Sequence, residues 1–77
     1  MAIEPFEGIW PEIPDSVFVA ASADLVGRVT LEEESSIWYN ATLRGDINEI
    51  SIGPKSNVQD NAVIHLAETM GATSGNW

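Results

Sequence analysis

Two short runs hold residue types from which chemistry could be built. Arg44-Gly45-Asp46 puts a guanidinium and a carboxylate two residues apart, and Asn57-Val58-Gln59-Asp60 is followed at His65 by the only imidazole of the chain. The planar arginine fork suits bidentate pairing with a carboxylate across an interface. His65 is a candidate metal ligand, but a catalytic zinc ion usually takes three protein ligands and one open position, and a single imidazole holds it weakly. Glu32-Glu33-Glu34 could attract a cation, yet no opposing ligands stand out, and the run reads as a solvated corner. There is no cysteine, which excludes a disulfide framework, a thiolate metal site and a cysteine nucleophile. No phosphate-binding glycine loop, Ser-His-Asp arrangement or identifiable pair of catalytic carboxylates is present.

The elements that position these groups must be compact. With 77 residues and 8.3 kDa there is room for one small domain, and chains this short often need a staple, a metal or a partner subunit for stability. Without cysteines, oligomerisation is the expected support. Three Lys and Arg against twelve Asp and Glu give a formal charge of -9, which repels nucleic acid and anionic membranes and excludes both as partners. A hydrophobic content of 44% is too high for a disordered chain. No apolar run reaches the roughly 18 residues of a membrane span, and Met1-Ala2-Ile3-Glu4-Pro5 lacks the basic-then-apolar order of a signal peptide. The expected location is cytoplasmic. Asn40-Ala41-Thr42 fits the glycosylation acceptor pattern but, with no export signal, reads as a chance match, and the Arg-Gly-Asp tripeptide carries little weight as an adhesion motif for the same reason.

The organising pattern is a period of six. Val19, Leu25, Leu31, Ile37 and Leu43 are spaced by six, the step stretches by three to reach Ile52, and the spacing resumes at Val58 and Ile64. A second, mostly small track lies four residues after each anchor: Ala23, Val29, Ser35, Ala41, Ile47, Ser56 and Ala62. On an α-helix a step of six turns the chain by about 600°, which scatters the anchors over three directions. On a strand an even step keeps them on one face, but a single strand from Val19 to Leu43 would far exceed the usual 3–10 residues. The chain must turn at every repeat. Short strands and bends closing a triangular coil of about 18 residues satisfy both facts, giving a parallel β-helix with fewer than three complete coils. An antiparallel sandwich would call for Asn-Gly or Asp-Gly hairpin turns, and none occurs.

Three segments follow. Residues 1–16, with Pro5, Pro11 and Pro14, read as an extended lead-in whose Phe6, Ile9, Trp10 and Ile13 lie over one end of the core. Residues 17–68 carry the repeat, and residues 69–77 form an irregular tail. The nine residues from Leu43 to Ser51 absorb the insertion and must bulge from a corner or an edge. Trp38 and Tyr39 follow an inward anchor, so at least one points outward, and Trp38 is a candidate subunit contact. The exposed last coil would offer a strand edge to a partner.

These residues also resemble a family. Pro5-Phe6-Glu7-Gly8-Ile9-Trp10-Pro11, Val17-Phe18-Val19-Ala20, the run from Ser36 through Arg44-Gly45-Asp46, and the run from Asn57 through Asp60 to His65 look like the N-terminal half of the γ-class carbonic anhydrase-like proteins. The resemblance covers about Pro5 to Glu68. It implies a left-handed β-helix with no further clue to handedness in the residues, a homotrimer, and a zinc ion at each subunit interface that hydrates carbon dioxide. His65 corresponds to the first of three zinc-binding histidines, Arg44, Asp46 and Asp60 to interface ion-pair residues, and Gln59 to a polar residue beside the metal-bound solvent. The other two histidines and the C-terminal helix of the family have no counterpart in these 77 residues. The reading is therefore a non-catalytic trimeric structural or binding module with no cofactor of its own and His65 as a vestigial ligand. The alternative is a zinc-dependent lyase whose remaining ligands come from outside this chain. A third reading, a hexapeptide acyltransferase, shares the repeat but needs more coils to form its acyl-carrier cleft.

Overall fold

The computed structural model describes residues 1–65, and none of these residues is helical. Seven strands follow one another: β1 (Ala2–Glu4), β2 (Phe18–Val19), β3 (Asp24–Leu31), β4 (Ser36–Ile37), β5 (Thr42–Ile52), β6 (Asn57–Val58) and β7 (Val63–His65). Every strand pair is parallel. One sheet runs β1-β3-β5-β7 and the other β2-β4-β6, so each strand lies over the strand one turn earlier. The architecture is a left-handed parallel β-helix of about three turns.

β3 and β5 are long because each carries on around a corner. Asp24 to Gly27 pair with Thr42 to Gly45, the register breaks between Gly27 and Val29, and Val29 to Leu31 then pair with Ile50 to Ile52. The two strands thus span two faces of the triangle, and β2, β4 and β6 form the third. Rungs between turns include Ala20 N–H to Ile37 O and Trp38 N–H to Val58 O, both 2.8 Å. Inward side chains stack in columns, Ile3-Leu25-Leu43-Ile64 on the first face and Val19-Ile37-Val58 on the third. Seven of the eight expected anchors are fully buried and Val19 is partly so. The lead-in is extended and joins the stack: β1 pairs with β3, and Glu12 bridges Thr30. Ile3 and Ile13 pack against the core, while Phe6, Ile9 and Trp10 are exposed. Glu7 and Gly8, both at positive φ, close a tight antiparallel turn between Phe6 and Ile9.

Corners repeat with the coil. Glu34 and Lys55 occupy one at φ near 60°, and Asn40 and Asn61 occupy the next. Asparagine tolerates this left-handed conformation better than most residues. The tiny Ala23 and Ala41 are fully buried beside the latter corner. The Glu32-Glu33-Glu34 run is exposed, as a solvated corner requires.

One expectation of the small-residue track is overturned. Val29 pairs in register with Ile50, so Ile50 fills the column position expected of Ile47, and Ile47 stands half exposed. The three extra residues sit between Gly45 and Ile50. The anchor-to-anchor step therefore lengthens from 18 residues at Leu25 to Leu43 to 21 at Leu43 to Ile64. The tail 69–77 and the last residues of the repeat segment lie outside the described residues. Ile50→Ala should cost about 2–5 kcal/mol because it opens a cavity in the column, whereas Ile47→Ala should stay within about 0.5 kcal/mol. Urea unfolding midpoints of the two variants measure this, and equal losses would contradict the register.

Candidate functional site

The chemistry-bearing residues gather where the insertion leaves the coil. Arg44 and His65 are register partners on β5 and β7, flanking the inward Leu43 and Ile64, so alternation along the strands turns both outward in one column. Asp46, two residues past Arg44, begins the insertion. Its Oδ2 accepts a hydrogen bond from Arg44 Nη2 at 3.1 Å, and its Oδ1 lies 3.2 Å from His65 Nε2. The same Oδ1 accepts the Ile47 backbone N–H at 2.7 Å. Three nitrogens from three directions therefore converge on one carboxylate. Its side chain is only 17% exposed, against 47% for Arg44 and 32% for His65.

The Ile47 amide, with a smaller share from the Arg44 guanidinium, holds the Asp46 carboxyl below its ordinary value of 3.8 against the opposing effect of partial burial.

A residue that sequence reasoning missed completes the arrangement. Arg28, at the corner of the preceding turn, donates from Nη2 to the carbonyl oxygens of Asp46 (2.7 Å) and Ile47 (2.9 Å). The coil period was the available signal, since 18 residues separate Arg28 from Asp46. Two of the three cationic side chains of the chain thus meet at this loop. The third, Lys55, lies 4.0 Å from Glu34 at an exposed corner.

The remaining expected residues sit elsewhere. Gln59 donates to Asn57 Oδ1 at 2.6 Å on the exposed side of the third face. Asp60 Oδ1 accepts the Tyr39 N–H at 3.2 Å, tying one corner to the turn before it. Within one chain, then, Arg44 is joined to Asp46, and Asp60 serves the backbone. Trp38 is half-buried, donates from Nε1 to Ser36 Oγ, and packs on Phe18 with ring centroids 4.9 Å apart; Tyr39 meets it edge-on and is exposed. No group of three His, Asp or Glu side chains able to hold a metal ion exists among the described residues. The residues present here supply one imidazole with its Nε2 against Asp46, which falls short of a zinc site.

No protein-family model matches the chain. Over 59 residues, 77% of its length, it is 49% identical to "Gamma carbonic anhydrase 2, mitochondrial" of Arabidopsis thaliana, and covers 21% of that protein. Over 63 residues it is 41% identical to a carbonic anhydrase of Geobacillus kaustophilus, covering 82% of this chain and 35% of the other. Among solved structures, a hexapeptide transferase family protein from Anaplasma phagocytophilum superposes with a TM-score of 0.89 at 35% identity, over 97% of this chain and 43% of that one. The chain spans about a fifth to a third of the length of the curated relatives it matches. No helix among the described residues is long and apolar enough to cross a membrane.

The depressed Asp46 value has a defined pH consequence. A carboxylate held low in the folded state contributes stability in full above its unfolded value, and loses it as pH falls through the folded one. Asp46→Asn keeps an oxygen acceptor and removes the charge. The gap in urea midpoint between wild type and this variant should hold steady from about pH 7 to 5 and close below the ordinary value of 3.8. A gap of the same size at about pH 3 would show that the charge is not its source.

Proposed function

This chain is a γ-class carbonic anhydrase-like hexapeptide-repeat sequence, and from that premise we propose that it serves as the scaffold and contact module of a homotrimeric β-helix, non-catalytic on its own residues. The observation that carries the reading is the outward cluster of Arg44, Asp46 and His65, a charged surface already ordered within one chain. On the third face runs an aromatic strip in which Phe18 and Tyr39 are exposed. Aromatic residues and arginine are the types enriched in interface cores. Part of the entropy of ordering Arg44 is met before association, because Asp46 already orients it. A cytoplasmic location belongs to the same proposal. Relatives named as mitochondrial make an organelle the alternative, which cell fractionation decides.

Chemistry by this chain alone is limited by ligand number. A single imidazole binds zinc weakly, and hydroxide forms near neutral pH only on a metal that lowers the pKa of its water to about 7. One observation favours the second reading, a lyase hydrating carbon dioxide with ligands contributed from outside these residues. Asp46 abuts one imidazole nitrogen of His65, and a carboxylate behind a histidine is how metal-ligating imidazoles are commonly oriented. His65 would be this chain's contribution to such a site.

Native mass spectrometry with zinc supplied and then chelated tests both readings, since one spectrum reports subunit number and bound metal. A trimer without zinc is expected. Arg44→Ala should weaken the assembly about tenfold or more in concentration, equivalent to about 1.4 kcal/mol. An unchanged subunit number at low micromolar concentration would remove Arg44 from the contact. Zinc retained stoichiometrically through chelation would favour the second reading and call for a carbon dioxide hydration assay.

A further inference from the structure

Resting on the reading of Arg44, Asp46 and His65 as a contact cluster, we propose that Arg28 is the positioning residue of that cluster, reaching up from the preceding turn to fix the peptide that aims the Asp46 carboxylate. The corner itself differs between successive turns. In the earlier turn one residue, Arg28, separates Gly27 from Val29; in the next turn four residues separate the equivalent Gly45 and Ile50. Register breaks at this point, and the β3–β5 ladder has no step for the carbonyls of the extra residues. Arg28 Nη2 takes two of them, Asp46 O and Ile47 O, at 2.7 and 2.9 Å.

The peptide between Asp46 and Ile47 is thereby held from both sides. Its carbonyl accepts from Arg28, and its N–H donates to Asp46 Oδ1. Rotation of that peptide would break the N–H bond that pins Oδ1 and free the carboxylate to turn away from His65 and Arg44. The two turns are also in close contact here, since a Cβ on Gly45 would collide with Arg28 O. The arginine therefore cannot slide along the corner without moving the backbone above it. Charge selection points the same way. In a chain with twelve carboxylates, Arg28 gives these hydrogen bonds to two carbonyl oxygens, which defines a main-chain geometry more than it neutralises an acid.

The test follows the Ile47 amide proton by NMR, by chemical shift and by hydrogen exchange, and the subunit number by native mass spectrometry, in the full chain. Arg28→Met keeps an apolar stem of similar length without donors. It should raise exchange at the Ile47 amide by about tenfold or more while Leu25, Ile37 and Val58 amides keep their protection, and it should weaken assembly as Arg44→Ala does. Arg28→Lys, whose ammonium can also donate to two carbonyls, should restore most of the Ile47 protection and is the variant to use if Arg28→Met does not fold. An Ile47 amide unchanged in Arg28→Met, or equally exposed in both variants, overturns the proposal. The two readings fail separately. A freed Ile47 amide with subunit number intact leaves the positioning role standing and removes the contact reading. A protected Ile47 amide beside an assembly dissolved by Arg44→Ala does the reverse.

Discussion

Vertical register governs this molecule. Each turn must set an aliphatic side chain directly over the one below, because a coil three short strands wide has no other core to bury. Ile3, Leu25, Leu43 and Ile64 meet that demand on one face and Val19, Ile37 and Val58 on another. The backbone rungs between turns form only when the columns align, so apolar burial and hydrogen bonding are satisfied by one geometric condition. A single misplaced step would turn a column outward, since strand side chains alternate with period two. Every departure from the 18-residue turn must consequently be expelled from the stack at a corner.

There is one such departure in the described turns, and the charged cluster sits on it. The extra residues leave at Gly45, where the close approach of Arg28 O excludes any side chain, and return at Ile50, which resumes the column. A loop forced out of a ladder loses rungs, and unpaired carbonyls are costly where they are partly shielded from water. Arg28 on the carbonyl side and the Asp46 carboxylate on the amide side replace what the ladder no longer provides. The same contacts that make the insertion tolerable also set the direction of Asp46. Folding and site geometry are thus one problem at this corner.

The repeating part was legible in the sequence because it depends on side-chain type alone. Leu, Ile and Val at a fixed step name the inward columns, and small residues name the crowded corner at Ala23 and Ala41. Within the insertion, type ceases to discriminate: Ile47 and Ile50 are the same residue, and what decides between them is which one the register returns to the core. The role of Arg28 was hidden for a related reason. The coil period puts it beneath Asp46, but its partners are carbonyl oxygens, which every residue carries and no sequence marks. Phe18 on Trp38 is a diagonal contact, since Phe18 is in register with Ser36, and a period read along columns does not show diagonals. Glu7-Gly8 closes a tight turn without the asparagine or aspartate that usually signals one.

The solid aliphatic interior also dictates where function can be placed. With the inside of the coil filled by aliphatic side chains, the side chains this chain offers to ligands and partners are the outward-facing ones, and an outward strand face offers one wall of a site. A second wall has to come from another surface. Any assembly of this chain joins bodies of formal charge -9, whose mutual repulsion reaches across roughly 10 Å at about 0.1 M salt. An interface is therefore easiest to build where that field is weakest. Two of the three cations lie within hydrogen-bonding reach of the Asp46 loop, so positive charge is concentrated beside the ordered carboxylate and the histidine. On the proposed contact reading, that concentration of positive charge lowers the repulsion that copies of this chain would otherwise meet at this face.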